Sequence, residues 1–200
     1  MSKIGVFGGS FNPVHNGHIM LAKTALEQLK LSKLLIVPAS VPPHKSSADY
    51  AAAHHRLEMC RLATRTLPDT EVSSTELERK GVSYTADTLT ELSDIYKGSD
   101  FYLIMGADMF LTVQDWHDPQ RIFALAKLCA VPRDAADIQK LRCHAEYLGK
   151  IGADSLLMNV PKVDISSTEI RRRVKNGESI SGTVCNEVEK YIIANGIYRD

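Results

Sequence analysis

A glycine- and histidine-containing turn near the start of the chain has residue types that could bind phosphate. Residues 8–18 read GGSFNPVHNGH, with His15 and His18 three positions apart. Glycines let the backbone approach a ligand closely, and imidazoles donate hydrogen bonds to phosphate oxygens, more strongly when protonated. A helix predicted from residue 17 adds free backbone N–H groups that favour an anion. We therefore predict a phosphate site; the alternative is a structural turn with His18 packed above the core.

A second polar segment begins another predicted helix, far along the chain. Residues 165–173 read ISSTEIRRR, about 150 positions after the first turn. Ser166 and Glu169 have the spacing of a capping box, in which each side chain bonds the other residue's backbone N–H. The pattern predicts that a helix begins here, with hydroxyl and amide groups at its N-terminus.

Arg171 gives this second segment its chemical interest. It follows Ser167 by four residues and Thr168 by three, so the three side chains share one helix face. A cation one turn from a helix N-terminus opposes the helix dipole, and a bound anion would relieve that. The alternative is a capped helix with a solvated basic face. Arg172 and Arg173 point elsewhere around the helix and are predicted to be solvated.

Three further residues could bind a second ligand. Thr85 opens a predicted helix and could donate its hydroxyl or backbone N–H to a carboxylate, or it could be an N-cap. Asp108 follows Gly106 and a predicted strand, and it could bind ribose hydroxyls or cap a helix. Trp116, the single tryptophan, could stack on an aromatic ring. It could equally pack under a loop.

Hydrophobic periodicity supplies the elements that would position these residues. Strands are predicted at 3–8, 33–38, 71–74, 100–105, 127–131 and 155–158. Helices are predicted at 17–30, 51–67, 85–96, 119–126, 135–150, 168–176 and 184–195. This alternation predicts an α/β fold of the doubly wound, Rossmann-like kind, with a mainly parallel sheet and helices on both faces. Ligands then bind beyond the carboxyl ends of the strands.

Length and composition narrow the class of protein. The 200 residues predict one domain over 1–200, with a C-terminal helical part at about 165–200. Because 24 Lys and Arg balance 24 Asp and Glu, we expect no bulk attraction to nucleic acid or to an acidic membrane. The pattern of residues suggests neither a signal peptide nor a membrane span, so we expect a cytoplasmic protein. A homo-oligomer stays open.

Cysteine and histidine spacing gives no sign of a structural metal. None of the four cysteines forms a C-x-x-C pair, and a disulfide framework is not expected at this length. The adjacent His54 and His55 are predicted to lie on the surface. The longest irregular stretch, 39–50, is either a functional lid or an ordinary loop. Arg133 follows a predicted strand, where it could meet a phosphate or simply be exposed.

The motifs together resemble a known family. The turn at 8–18 resembles the H-x-G-H signature of the nucleotidyltransferase superfamily, in the narrower form found in nicotinate and nicotinamide mononucleotide adenylyltransferases and their relatives. ISSTEIR at 165–171 resembles the second signature of the same adenylyltransferases. Three more segments are similar to bacterial nicotinate mononucleotide adenylyltransferases. They are PPHK at 42–45, GVSYTADTL at 81–89, and GAD at 106–108 followed by Trp116.

The resemblance implies transfer of AMP from ATP to nicotinate mononucleotide, giving deamido-NAD and pyrophosphate, with Mg²⁺ carried by ATP. It implies that His15 and His18 are catalytic. The residues implied to bind ATP are Gly8, Gly9, Ser10, Phe11, Gly106, Asp108, Ser167, Thr168 and Arg171. Those implied to bind nicotinate mononucleotide are His44, Lys45, Tyr84, Thr85, Trp116 and Arg133. The 39–50 loop, with His44 and Lys45, would be a lid, and no protein metal site is expected.

Other functions stay open at this stage. The same ATP site could serve a nicotinamide mononucleotide or pantetheine-phosphate adenylyltransferase, and the Thr85 and Trp116 segments argue more against the latter. A non-catalytic nucleotide sensor is a further alternative. Two departures from the family pattern are mild. Asn12 stands where Asp is common and is expected to matter little, and His117 follows the tryptophan where some members have an aromatic residue.

Overall fold

A six-stranded parallel sheet forms the centre of the molecule. The computed structural model describes residues 1–40, 50–79, 81–132, 135–161 and 163–199. The strands are β1 (Lys3–Gly9), β2 (Lys33–Pro38), β3 (Thr70–Val72), β4 (Asp100–Gly106), β5 (Ala126–Val131) and β6 (Ser155–Leu157). Their order is β3-β2-β1-β4-β5-β6, and every paired strand is parallel to its neighbour.

Helices connect these strands. They are α1 (Asn16–Leu29), α2 (Ala53–Thr64), α3 (Thr75–Arg79), α4 (Thr85–Ile95), α5 (Ala107–Phe110), α6 (Pro119–Leu125), α7 (Ala135–Lys150), α8 (Ser167–Lys175) and α9 (Asn186–Ala194). A short 3₁₀ turn covers Val113–Asp115. The predicted fold class is confirmed, and the sheet is parallel throughout the described strands.

The sheet has a hydrophobic core on each face, because successive strand residues point to opposite sides. In β2, Leu34 and Ile36 face one core, whereas Leu35 and Val37 face the other. Residues of α1, α2, α8 and α9 complete the first core. Residues of α4, α5, α6 and α7 complete the second. This two-sided burial explains why the strands read as continuous apolar runs.

The strand order fixes where a ligand can enter. After β3 the chain crosses to the other side of β1, so that β1 and β4 are neighbours in the sheet. The connection that follows β1 leaves towards one face of the sheet, and the connection that follows β4 leaves towards the other. In open parallel sheets this arrangement creates a crevice beyond the carboxyl ends of the two strands. The turn at 8–18 follows β1 and Gly106 ends β4. The fold therefore brings two of the predicted segments to one crevice.

Two further expectations concern the whole chain. Among the helices of the described residues, none is long and apolar enough to cross a membrane. The assignment of residues 1–200 to one domain stays a prediction.

Candidate functional site

A cavity of about 590 Å³ lies at the crevice between β1 and β4. Ten of the residues predicted to bind a ligand or to be catalytic line it: Gly8, Gly9, Ser10, Phe11, His18, Tyr84, Thr85, Gly106, Asp108 and Trp116. They come from the end of β1 and the turn after it, the end of β4, the starts of α1 and α4, and α5 with the segment after it. Residues that are distant in the sequence thus meet at one concave surface, the usual form of a small-molecule site.

The two histidines form a stacked pair at the start of α1. Their ring centroids are 3.7 Å apart, and the His18 ring also contacts the edge of Phe11, at 5.1 Å. The backbone N–H of His15, the N-cap residue, donates to His18 Nδ1 at 3.2 Å. Because Nδ1 accepts, the proton of a neutral His18 lies on Nε2. His18 is thereby fixed in the tautomer that can donate from Nε2 to a ligand.

Burial decides the charge of this pair. Burial lowers the pKa of His15 to about 4. The pKa of His18 lies well below its ordinary value, first because of burial and second because of the neighbouring His15. Both rings are therefore neutral near pH 7 when the site is empty. The ground state of the empty site is therefore a neutral N–H donor rather than a protonated one.

Gly17 has to be glycine because of His15. A Cβ atom at position 17 would lie 3.0 Å from His15 Nδ1 and 3.1 Å from its Cε1. These distances are tighter than ordinary contacts, and the neighbouring atoms belong to a ring packed against His18. The glycine between the two histidines therefore makes room for their stacking.

The second segment packs directly on the first turn. Ser167 Oγ donates to the carbonyl of Pro13 at 2.8 Å, and Arg171 Nη1 donates to the carbonyl of Asn12 at 2.9 Å. Arg171 also lies 3.4 Å from Thr168 Oγ1, so the predicted shared face is present. None of Ser167, Thr168 and Arg171 lines the cavity itself. They border it through the backbone of the turn.

The capping of α8 differs in part from the prediction. Ser166 is the N-cap, and its Oγ accepts from the Glu169 N–H at 3.2 Å. The Glu169 carboxylate instead binds Arg172 and Arg173, each at 2.9 Å. Their hydrogen bonds lower the pKa of Glu169 to about 2. The two arginines, expected to be solvated, are thus partly exposed but ion-paired, because carboxylate oxygens are within one turn of both.

The start of α4 forms another wall of the cavity. Thr85 is the first residue of α4 and Tyr84 is its N-cap, with no side-chain cap. The alternative reading of Thr85 as an N-cap is therefore wrong. The Tyr84 and His117 rings stack at 4.3 Å with a 32° tilt, and both line the cavity.

Three more of the predicted residues that line the cavity lie at or after the end of β4. Gly106 is the N-cap of α5 and Asp108 lies in its first turn, so Asp108 is not the N-cap that the sequence analysis considered. Trp116 ends the 3₁₀ turn, where it packs against the second core and also lines the cavity. The packing interpretation of Trp116 is confirmed, and stacking on an aromatic ligand stays a prediction that its place in the cavity lining allows. Three predicted site residues, His44, Lys45 and Arg133, lie outside the described residues, as does most of the 39–50 loop.

Arg56 was not predicted. It does not line the cavity itself, but Ser10 and Ala39, whose carbonyls it contacts, do. It is 2% exposed, and its guanidinium donates to four carbonyls. These belong to Ala51 at 3.1 Å, Ser10 at 2.9 Å, Ala39 at 2.6 Å and Ser40 at 3.1 Å. One buried cation thus fixes the end of β2 and the residues before α2 against the first turn. Arg56 lies on the buried face of α2 with Met59, Cys60 and Ala63. A charged residue on this otherwise apolar face was the one sign in the sequence that Arg56 is buried.

Asn12 is also more important than its sequence suggested. It is 2% exposed, and its Oδ1 accepts from the Ala51 N–H at 3.0 Å and from the Tyr198 hydroxyl at 2.7 Å. With the Arg171 contact to its carbonyl, Asn12 joins four segments. Burial makes each of these bonds costly to lose. Both side-chain bonds are accepted by Oδ1, an atom that Asp also carries, so the expectation that the Asn-for-Asp departure matters little stays a prediction.

Glu76 in α3 is a third residue that the sequence analysis missed. Its carboxyl group lines the cavity and is 7% exposed. No periodic signal marks the five-residue helix that carries it.

Metal-ligating side chains show no cluster in the part of the chain that the structure describes. His54 and His55 stack at 4.0 Å, and His55 Nδ1 lies 2.9 Å from the Tyr191 hydroxyl. The pair is exposed to partly exposed, in line with its predicted surface position.

Comparison with known proteins defines the class first. The cytidylyltransferase-like family model matches residues 6–173. Solved structures share the fold: a Plasmodium falciparum nicotinic acid mononucleotide adenylyltransferase complexed with NaAD has a TM-score of 0.79 at 20% identity, covering 99% of this chain and 98% of the other. The same protein complexed with APC has a TM-score of 0.77 at 19% identity, with the same coverage.

Curated relatives define the particular group. A nicotinate-nucleotide adenylyltransferase of Bacillus subtilis is 34% identical over 99% of both chains. A "Probable nicotinate-nucleotide adenylyltransferase" of Carboxydothermus hydrogenoformans is 37% identical over 99% of this chain and 98% of that protein. One of Roseiflexus with the same name is 40% identical over 98% of each. The chain belongs to the family of nicotinate-nucleotide adenylyltransferases.

Proposed function

We propose that this chain transfers the AMP part of ATP to nicotinate mononucleotide, giving deamido-NAD and pyrophosphate. One observation carries the proposal: a single cavity joins the phosphate-type turn with His18 to the α4 start and Trp116. The first set suits a triphosphate and the second a flat aromatic ring that bears a carboxylate. The names of the curated relatives support the same reaction.

The reaction needs positioning more than proton transfer. A 5′-phosphate oxygen of the mononucleotide attacks the α-phosphorus of ATP, and the bond from that phosphorus to the bridging oxygen breaks. Pyrophosphate leaves with the bonding electrons. The attacking oxygen is already anionic, so no general base is required. The chain would contribute alignment and stabilisation of negative charge.

His18 is the proposed donor to the phosphates. Its neutral Nε2–H is available because Nδ1 is occupied by the His15 N–H. An entering phosphate would favour the protonated form of either ring and strengthen the bond. His15, stacked on His18 at 3.7 Å, shares the catalytic role that the family signature implies and fixes the ring of its neighbour.

The remaining assignments to ATP follow from position. Gly8, Gly9, Ser10 and Phe11 would present backbone to the phosphates. Ser167, Thr168 and Arg171 would support the turn and its phosphates from α8. Gly106 and Asp108 would hold the adenosine, with Asp108 accepting from ribose hydroxyls.

The second substrate would lie against α4. N–H groups at the start of α4, with the Thr85 hydroxyl, would bind the nicotinate carboxylate. Tyr84 would border the pyridine ring and Trp116 would stack on it. His44, Lys45 and Arg133 remain predicted to bind nicotinate mononucleotide, with Arg133 placed to meet a phosphate.

Mg²⁺ would enter as the ATP complex, bound mainly by phosphate oxygens and water. The donor chemistry fits this arrangement, because the first turn offers imidazole, hydroxyl and amide donors that suit phosphate oxygens. The cation would neutralise charge on the triphosphate. A cytoplasmic location and the oligomeric state stay predictions.

Pyrophosphate release with ATP and Mg²⁺ tests the function. The assay compares nicotinate mononucleotide with nicotinamide mononucleotide and pantetheine phosphate. A preference of at least about tenfold for the nicotinate acid corresponds to about 1.4 kcal/mol of selective transition-state binding and supports the proposal. Equal rates with the two pyridine mononucleotides would refute the proposed preference for the acid and leave adenylyl transfer in place. ATP binding without pyrophosphate release from any of the three substrates would favour the alternative of a non-catalytic nucleotide sensor.

A further inference from the structure

The α4 wall of the cavity is held from behind by a buried carboxyl group. Thr88 Oγ1 donates to Glu76 Oε1 at 2.7 Å, and the Ser83 hydroxyl is close enough to the Glu76 carboxyl to lower its pKa. Glu76, Ser83 and Thr88 are 7%, 8% and 2% exposed. The two hydroxyl residues flank Tyr84 and Thr85. Glu76 therefore lies next to Ser83 and Thr88, one on each side in the sequence of Tyr84 and Thr85. Tyr84 and Thr85 are the residues that line the proposed nicotinate site.

These bonds connect three elements. The Ser40 N–H, just after β2, donates to Ser83 Oγ at 2.9 Å. Thr88 Oγ1 also lies 3.2 Å from the Tyr84 carbonyl, which already accepts the Thr88 N–H. The position of residues 83–85 is thus set jointly by β2, α3 and α4. Glu76 is the group that contacts both hydroxyls.

The charge of Glu76 is balanced locally. Arg79 Nη2 donates to Thr88 Oγ1 at 3.0 Å, and Arg79 Nη1 binds Glu91 at 2.9 Å. Arg56 lies on the other side, near enough to interact electrostatically with Glu76. Burial raises the pKa of Glu76, and the Ser83 and Thr88 hydrogen bonds and Arg79 oppose that rise, whereas Glu91 adds to it. A carboxyl group would otherwise repel a carboxylate ligand bound at the neighbouring turn.

We propose that Glu76 is a positioning residue that sets the preference for a carboxylate-bearing over an amide-bearing pyridine ring. It acts through Ser83 and Thr88 on the turn at 83–85. The inference rests on the proposed function and deepens it. The acid and the amide differ in one group, so selectivity requires N–H donors held where only a carboxylate satisfies them. Misplacement of such donors by about 1 Å is enough to cost a large factor in rate.

Glu76→Ala, Thr88→Val and the double variant test this role. The readout is the ratio of kcat/KM for nicotinate over nicotinamide mononucleotide. We expect each single variant to lower the ratio at least about fivefold, and the double variant to lower it little further, because both remove one shared contact. The KM for ATP should stay within about twofold of wild type, since the first turn is untouched.

Two further variants sharpen the test. Glu78→Gln is the matched control: it lies on the same helix, exposed, and bonds Ser74 rather than the cavity wall. Its ratio should equal that of wild type. Glu76→Gln keeps an acceptor for Thr88 and should retain most of the selectivity. If Glu76→Ala does not fold, Thr88→Val, which conserves volume, carries the test alone.

The outcomes separate the two proposals. If wild type releases no pyrophosphate with either mononucleotide, the proposed function fails. If wild type prefers the acid and the Glu76 and Thr88 variants keep its ratio while only their melting temperatures fall, Glu76 is structural and this inference is overturned. A wild type that uses both substrates equally would also overturn it, with adenylyl transfer intact.

Discussion

At the residue scale, the stacked histidines show how burial prepares a site for an anion. Two imidazoles 3.7 Å apart would repel each other if both were charged, and burial keeps them neutral. The hydrogen bond from the His15 backbone leaves the His18 Nε2–H free to point into the cavity. Donors that are oriented before the substrate arrives cost no reorganisation during the reaction.

His18→Ala should lower kcat at least about 100-fold, the usual effect of removing one donor to developing negative charge. The protein should remain folded, because His18 is not fully buried. Steady-state pyrophosphate release measures the effect. His55→Ala is the matched control, since it belongs to the other stacked histidine pair, remote from the cavity lining. A near-normal kcat in His18→Ala would refute the catalytic assignment.

Gly17→Ala should separate activity from stability. Alanine favours a helix over glycine by about 0.5–1 kcal/mol, yet its Cβ would press on the His15 ring. We expect kcat to fall about tenfold or more while the melting temperature changes little. Gly149→Ala, in α7, is the control because its added Cβ meets no atom within 4 Å. Equal activity in the two variants would contradict the packing argument.

At the element scale, α8 supports the turn after β1. Charge-assisted hydrogen bonds are worth about 1.5–3 kcal/mol, and Arg171 makes one to the Asn12 carbonyl. Arg171→Gln should therefore raise the KM for ATP about tenfold or more and change the KM for the mononucleotide less.

Arg172→Gln is the control for this prediction. It removes the same charge from the same helix, but Arg172 binds Glu169 and Glu178 instead of the turn. Kinetics with each substrate varied in turn would show the difference. Similar KM values for ATP in the two variants would mean that α8 acts only through its overall charge.

Elements with a long apolar pattern could be predicted, as could the three-residue strands β3 and β6, but the shortest helices could not. Residues 33–38 and 135–150 were predicted with the observed bounds of β2 and α7. The helices α3 and α5 and the 3₁₀ turn at Val113–Asp115 were missed. Helices of one or two turns are stabilised by tertiary contacts rather than by local sequence. The residues that stabilise these short helices therefore lie elsewhere in the sequence, and the sequence of the helix itself does not predict it.

Some residues of the site could likewise be predicted from the sequence, and others could not. His18, Thr85 and Trp116 could be found because their types and spacing carry chemistry. Arg56 and Glu76 could not, because their partners are backbone carbonyls and hydroxyls brought together by the sheet. Such residues are identified by burial of a charge, which a sequence pattern records only weakly.

At the scale of the whole molecule, the histidine pair links stability to pH. Above about pH 6.5 both rings are neutral in the folded and unfolded chains, so they contribute no pH dependence. Below that, the unfolded chain binds protons that the folded chain refuses down to about pH 4 for His15 and lower pH for His18. Folding stability should therefore fall by up to about 1.4 kcal/mol per pH unit for each ring.

Urea unfolding at pH 7.5 and pH 5 measures this effect. A His15→Gln/His18→Gln variant should lose less free energy of unfolding between these pH values than wild type does. Glu169, whose pKa its arginine partners lower, is present in both proteins, so its contribution cancels in the comparison. An equal loss in both proteins would show that other groups carry the pH dependence.

The contacts around Asn12 and Pro13 carry a consequence for synthesis. Ser167, Arg171 and Tyr198 follow their partners in this turn by 154, 159 and 186 residues. Asn16, at the start of α1, donates to Gly182, 166 residues later. A ribosome would therefore have translated nearly all of these 200 residues before the phosphate-type turn could gain its supports. In a timed translation reaction, activity should therefore appear only when residues near 198 have been translated, and not when the first half of the chain has folded.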